Sequence, residues 1–373
     1  MENQNTPPEL DPTQTIQNET KCKCCGSKLT FAPGTMSLKC ESCGTMNEII
    51  IDESKKEEAI QELDLLKALD NDDSNDEPTI EVHTVKCNCC GASTTFDSNV
   101  VSSKCDFCGS PLTIKQGNTV KQIKPKALLP FAIEKRKAQD LYTEWLNGLW
   151  FAPGDLKTSA TLETGISGMY MPYWTYDAET TTSYTGRRGD YYYTTEEYEE
   201  DGETKTREVQ HTRWHNVWGC VRDSFDDILV PASSSLPSDF LEGLSSWKLD
   251  ALVPYDEKFL SGFKSETYSV SIKNGFTRAK EIMKDKIEDT VNYDIGGDEQ
   301  KIDSMDIRYR DLTYKHILLP IWICAFRYND KSYRFVINGQ TGEVNGDRPF
   351  SGLKITLFVL GIIAAIVLLF ALL

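Results

Sequence analysis

The chain has 373 residues, 39% hydrophobic and 26% charged, with 57 acidic against 40 basic side chains and a formal net charge of −17. That length and apolar content allow one or two sizeable cores. The acidic surplus excludes the clustered Lys and Arg from which nucleic-acid binders draw most of their affinity.

Residues 1–20 are rich in Asn, Thr, Gln and Pro, a composition expected to lack fixed structure. The stretch "CKCCGSKLTFAPGTMSLKCESCG" follows, in which Cys22/Cys25 and Cys40/Cys43 form two C-x-x-C-G turns fourteen residues apart. Sixty-five positions later "CNCCGASTTFDSNVVSSKCDFCG" repeats every interval with Cys87/Cys90 and Cys105/Cys108. A C-x-x-C-G turn aims two sulfurs at one centre, and two such knuckles facing each other build a closed tetrahedral all-thiolate zinc site. The spacing therefore predicts two zinc ribbons, over 21–50 and 85–116, holding one structural Zn2+ each. Phe31 and Phe96, at matching places between the knuckles, would lid modules too small to fold without metal.

Disulfides are the competing use of these cysteines. The paired spacing, the polar start "MENQNTPPEL" without a signal peptide, and ten cysteines confined to two short modules favour a reducing compartment. Iron of the rubredoxin type uses the same ligands and stays open. Cys24 and Cys89 are surplus thiols that compete with Cys22 and Cys87, which are preferred because they complete C-x-x-C-G. A metal held by four thiolates has no position for substrate, so these centres do not make an enzyme. The first ribbon sets Lys21, Lys23, Lys28 and Lys39 against Glu41; the second balances Lys86 and Lys104 against Asp97 and Asp106. Nucleic-acid binding is disfavoured by charge, with the first ribbon its one plausible site.

Residues 51–84 read as an acidic linker. Within "EEAIQELDLLKALD", Ile60, Leu63, Leu66 and Leu69 recur at helical spacing and predict a short amphipathic helix, leaning on a ribbon or docking a partner, before the solvated "DNDDSNDEP". Residues 117–350 read as an antiparallel-sheet-rich α+β core. "KRKAQDLYTEWLNGL" and "FTRAKEIMKDKIEDTV" have helical periodicity. "MYMPYWTYDAETTTSYTG", "YYYTTEEYEEDGETKTREVQHTRW" and "RYRDLTYKHILLPIWICAFRYNDKSYRFVINGQTGEV" alternate as strands, with turn signals at Asp201-Gly202, Asn329-Asp330 and Asn338-Gly339. Tyr191–Tyr193 would alternate between core and surface.

An internal echo suggests a duplication: "LLPF" at 128–131, a helix and "MPYWTYDA" at 171–178 recur in order as "LVPY" at 252–255, a helix and "LPIWICAF" at 319–326. Trp174 and Trp322 would then hold equivalent packing positions. No catalytic constellation emerges. "GSKLT" and "GFKSE" lack phosphate-loop spacing, and Ser233–Ser235 lack nucleophile-elbow glycines. His211 and His215, with Cys220 nearby, fall in a strand that separates them by about 13 Å. No small-molecule substrate is indicated. Residues 353–373 complete the chain: from Ile355 to Leu373, "ITLFVLGIIAAIVLLFALL" carries no charge and is long enough, at about 1.5 Å per residue, to span a bilayer. Arg348 and Lys354 just before it place the preceding bulk in the cytoplasm by the positive-inside rule.

The paired ribbons, "YMPYWTYDAET", "LLPIWICAFRYNDKSYRFVINGQTGEVNGDRP" and the terminal span together resemble bacterial TFIIB-type zinc-ribbon-containing membrane proteins, some of them labelled as similar to the replication restart helicase. The missing phosphate loop argues against a helicase. The resemblance implies a membrane anchor in an envelope-stress setting, beside phage-shock protein A-like or flotillin-like (SPFH) partners. The resulting expectation is a tail-anchored, single-pass adaptor of the cell membrane facing the cytoplasm, its ribbons reaching out to protein partners on an acidic tether; a membrane-tethered nucleic-acid binder is the alternative.

Overall fold

The computed structural model describes residues 21–52, 54, 56–57, 61–70, 78–95, 102–113, 118–156, 161–162, 165–200, 203–329 and 331–372. The expectation for residues 1–20, the Asp201-Gly202 turn, Phe96, Ile60 and Asp330 therefore lies outside the described residues. The architecture is α+β, as the patterning predicts.

Three very long strands form the spine. Ser167–Glu200 pairs antiparallel with Glu203–Pro231 on one side and with Glu299–Tyr328 on the other. Their β-branched and aromatic content suits such a surface. The helix Ile272–Ile295 lies across this sheet and buries Phe276, Ala279, Met283, Ile287, Val291 and Ile295, one stripe of i, i+3 and i+4 positions. Ser271 caps it by accepting from the Asn274 amide, and Gly296 at φ 64° ends it. Close approach at its first turn requires Gly275, where a Cβ would collide with the Tyr176 hydroxyl and Trp174. A second helix, Lys135–Gly148, buries Ala138, Tyr142 and Leu146, with Tyr142 stacked on Phe335 at 4.2 Å.

The two halves of the core repeat one hydrogen-bond pattern, in a register that differs from the sequence echo. Trp174 Nε1 donates to Val270 O at 2.9 Å, and Trp322 Nε1 donates to Ile133 O at 2.9 Å. Each acceptor sits one residue before the cap of a helix, Ser271 and Glu134. The amides of Ser269 and Val270 bond Ala232 O, while those of Ala132 and Ile133 bond Gly339 O. Lys264–Ser265 runs parallel to Met169–Tyr170, as Ala127–Leu128 runs parallel to Ile317–Leu318. Residues 127–133 thus correspond to 264–270, not to "LVPY", which instead crosses over to pair antiparallel with Ala127–Leu128. The sequence match failed there because backbone hydrogen bonds, indifferent to side-chain identity, carry the equivalence. In each half the leading segment and helix clasp the long strand of the other half, so the two repeats interlock.

Beyond Gly189, whose partner Glu299 opens the third strand, the first two strands continue alone as an arm ending at Glu200 and Glu203. Tyr191, Tyr192 and Tyr193 are all exposed there. The expected alternation fails because, among the described residues, no layer lies behind the two-stranded arm. Its rings pair instead with neighbouring cations, Arg213 over Tyr192 and Arg207 over Tyr198.

The linker also departs from expectation. Leu63–Asp64 is a short strand on Thr313–Tyr314, and the helix Leu65–Asp70 follows it. Leu65 is fully buried among the residues around Trp174, whereas Leu66 is exposed. An open sheet edge offered Leu63 backbone partners that an isolated six-residue helix cannot match. The boundary at 84/85 falls inside a strand, Thr79–Lys86, which pairs with Asn118–Ile123 and extends the second ribbon's sheet past 116.

One buried group ties stability to pH. His316 lies between Trp174 and Tyr268, with Nδ1 3.0 Å from Ile123 O and Nε2 buried without a partner. Burial, the dominant influence, pushes it down to about 4, against a lesser opposing effect of the Ile123 bond. Its folded value is depressed, so its contribution is present above the ordinary value of about 6.5 and is lost as pH falls toward the folded one. The melting midpoint of the wild type is expected to fall more between pH 6.5 and 4 than that of His316→Phe. Parallel pH profiles of the two proteins would refute this.

Candidate metal centres

In the first ribbon Leu29–Phe31, Ser37–Cys40 and Met46–Glu48 form a three-stranded antiparallel sheet that brings its two knuckles face to face. Gly26 and Gly44 adopt φ 72° and 75°, and their amides close the turns onto Cys22 O and Cys40 O. A side chain there would be strained, which is why the knuckle needs glycine. Gly91 and Gly109 do the same at φ 80° and 74° in the second ribbon.

The eight predicted ligands gather into two clusters, Cys22, Cys25, Cys40, Cys43 and Cys87, Cys90, Cys105, Cys108, each with all sulfurs within 4.8 Å of one another. Neighbouring sulfurs stand 3.5 to 3.7 Å apart. A disulfide needs about 2.05 Å, whereas four sulfurs about 2.3 Å from one zinc ion lie about 3.8 Å apart. The donor set and its dimensions fit a tetrahedral metal, and zinc is the ion such a set most commonly takes. Cys24 and Cys89 are exposed and outside both clusters.

The bare thiols differ widely in acidity. The Thr45 hydroxyl and amide pull Cys43 down to about 6. Burial opposes the same effect at Cys108, yet the Ser110 hydroxyl and amide prevail and leave it at about 7. Burial pushes Cys90 up to about 11 and raises Cys105 further. A divalent cation is what makes all four thiolates at once.

Neither ribbon stands away from the core. Cys22, Leu29, Phe31, Leu38, Cys40 and Ile49 share one apolar cluster with Phe131 and Phe259, and the Phe31 amide bonds Ser261 O at 2.9 Å. Cys87, Ala92, Cys105, Phe107 and Leu112 share another with Leu129, Met169 and Ile321, and Lys264 reaches Asp106 at 2.6 Å. The first ribbon bonds Phe131 O through the Gly34 amide, and the second bonds residues 265 and 267 through Thr95 and Ser93. Both contacts fall on the equivalent segments 127–133 and 264–270. Two halves therefore seat two ribbons.

The other sequence candidates lie outside both clusters. His211 and His215 pair across the arm, with Thr194 at 2.7 Å and Asp190 at 3.8 Å respectively. Ser235 Oγ donates a short hydrogen bond to the buried Glu266, which burial pushes up to about 7. Sequence patterning missed a charge cluster at the bulge where Asp177 shifts both strand registers. Thr313 Oγ1 lies 2.6 Å from Glu62 and 2.7 Å from Asp177. One hydroxyl proton serves one carboxylate, so the second contact calls for a protonated partner. Burial pushes Asp177 up to about 6, so it takes up that proton only as the pH falls below this value. The buried Lys315 ammonium lies 3.4 Å from Glu62 and 3.0 Å from Asp227, and so already provides the cation of this group. No spacing in the sequence joins Glu62 to Lys315; the long-range strand pairing does.

Gly352–Leu372 is a single helix, of which no part of Gly352–Phe370 is buried; with a mean hydropathy of 2.8 it is long and apolar enough to cross a membrane. Lys354 Nζ anchors its start by donating to Trp150 O at 3.2 Å and Ala152 O at 2.7 Å, and Phe151 packs edge-on against Phe358 at 5.3 Å.

No family model matches the chain, and no solved structure matches it. Over 343 residues it is 23% identical to the uncharacterized protein YdjG of Bacillus subtilis (strain 168), across 92% of this chain and 93% of that protein. The chain is thus a distant homologue of YdjG along nearly its whole length.

Proposed function

We propose that this protein is a tail-anchored adaptor of the bacterial cell membrane, with its bulk in the cytoplasm, which presents two zinc ribbons to protein partners and performs no catalysis. The observation that carries the reading is the combination of two four-thiolate clusters with the unburied apolar helix Gly352–Phe370 in the same chain. A closed tetrahedron has no open ligand position, so its metal shapes a surface. The exposed apolar face of Gly352–Phe370 needs a cover, and a bilayer is the cover that fits every side of it. Arg348 and Lys354 before the span, together with thiols held beyond disulfide distance, favour the cytoplasmic side. The envelope-stress setting and the phage-shock protein A-like or SPFH-like partners belong to this proposal through the family resemblance.

The test is crosslinking and capture from membranes, with the wild type beside Cys22→Ser and Cys87→Ser. One specific protein recovered with the wild type and lost with a ribbon variant supports the adaptor. Recovery of nucleic acid alone, or a wild-type protein that leaves the membrane fraction without detergent, would overturn it.

A further inference from the structure

The apolar helix Gly352–Leu372 does not hang from the core on a loose tether. Its entry is locked to a loop, residues 149–152, that directly follows the helix Lys135–Gly148. The Phe151 carbonyl accepts from the Ser351 amide at 2.7 Å, and Lys354 Nζ donates to the Trp150 and Ala152 carbonyls at 3.2 and 2.7 Å. The start of the span thus satisfies three successive loop carbonyls. Exposed loop backbone can take its partners from water, whereas backbone that enters a bilayer has to bring its partners with it.

These contacts also set a depth. A lysine ammonium stays at headgroup level, because the hydrocarbon core is costly for a charge. The carbonyls of Trp150 and Ala152 touch that ammonium and share its level. Between them, Phe151 packs edge-on against Phe358 at 5.3 Å, and Phe358 lies one helical turn, about 6 Å, further into the span than Lys354. The loop therefore reaches from the headgroups to the edge of the hydrocarbon. Around it Trp150 is 78% exposed, Leu353 73% and Phe350 59%, with the Arg348 guanidinium 5.3 Å from the Phe350 ring centre. Aromatic rings beside cations at the end of a span are the make-up of a membrane-interface belt.

We propose that the loop 149–152 is a second membrane-binding element, whose Trp150 and Phe151 side chains insert into the interfacial layer of the bilayer beside the span. Lipid is the occupant that fits, because the helix locked to this loop needs lipid at the same level. The inference rests on the tail-anchor reading and deepens it. The core is then held against the membrane surface, its orientation set by interfacial anchors as well as by the helix.

The test reconstitutes the full-length protein into phosphatidylcholine liposomes whose acyl chains carry bromine near the headgroup end, a contact quencher of tryptophan, and into the same lipid without bromine. The wild type is compared with Trp150→Phe and with Trp218→Phe, a residue 84% exposed on the strand Glu203–Pro231. Flotation with lipid, metal content and melting are checked for all three. The bromine-sensitive emission of the wild type is expected to fall about twofold or more in Trp150→Phe and to stay unchanged in Trp218→Phe. Equal bromine-sensitive emission in the wild type and Trp150→Phe, none in the wild type, or a loss carried by Trp218→Phe instead would overturn the proposal; so would a second copy covering the loop, which gives the second of these results. Flotation separates the two levels. A wild type that floats with lipid and gives one of those results defeats the loop and leaves the anchor intact, whereas a wild type that does not float defeats the anchor and the loop with it.

Discussion

Cys105→Ser is expected to cost the protein one of its two metal ions and to destabilise the whole chain, whereas Cys89→Ser, one knuckle away, is expected to keep both ions and melt like the wild type. Cys105 is 1% exposed and Cys87 2%, and both lie in the cluster that includes Leu129, Met169 and Ile321. A structural zinc ion contributes about 10–16 kcal/mol to the folding of a small ribbon-sized module, comparable to the roughly 5–15 kcal/mol that holds a typical domain together. Loss of the metal would leave three converging thiols without their cation and would strip an apolar wall from the core. The readouts are elemental analysis, thermal melting and protease cleavage within 79–123. A Cys105→Ser protein that retains two ions and the wild-type melt would show that the second cluster holds no metal.

Trp174→Ala and Trp322→Ala are expected to cost nearly the same, about 3–5 kcal/mol each, the range for truncating a buried aromatic residue. Trp174 is fully buried and Trp322 is 3% exposed, and each clamps the carbonyl just before the cap of a helix from the other half. The Trp→Phe variants keep most of the volume but orphan Val270 O or Ile133 O, a loss of about 1–3 kcal/mol apiece. Urea titration of the purified chain gives both numbers. A large effect at Trp174 with none at Trp322 would mean that the two halves share a hydrogen-bond pattern without sharing its energetic role.

Local chemistry was the readable part of this chain. The C-x-x-C-G knuckles, the stripe Phe276–Ile295, the alternating strands and the uninterrupted apolar tail each depend on residues close together in sequence. Eight metal-ligand candidates could be named from spacing alone for that reason. The duplication was legible only through Pro172/Trp174 and Pro320/Trp322. The matching segments 127–133 and 264–270 share backbone geometry but little side-chain identity. Tyr191–Tyr193 misled because alternation reports a sheet face without saying whether anything covers it.

Spacing and composition by themselves determined which atoms can bind metal, which segments coil or extend, and that one segment is long and apolar enough to cross a membrane, because those properties follow from covalent neighbours and side-chain periodicity. Only the tertiary structure decided that the ribbons sit on paired docking segments rather than on a tether, and that Glu62 meets Lys315. Those outcomes depend on which distant strands pair and on the apolar area buried when they do.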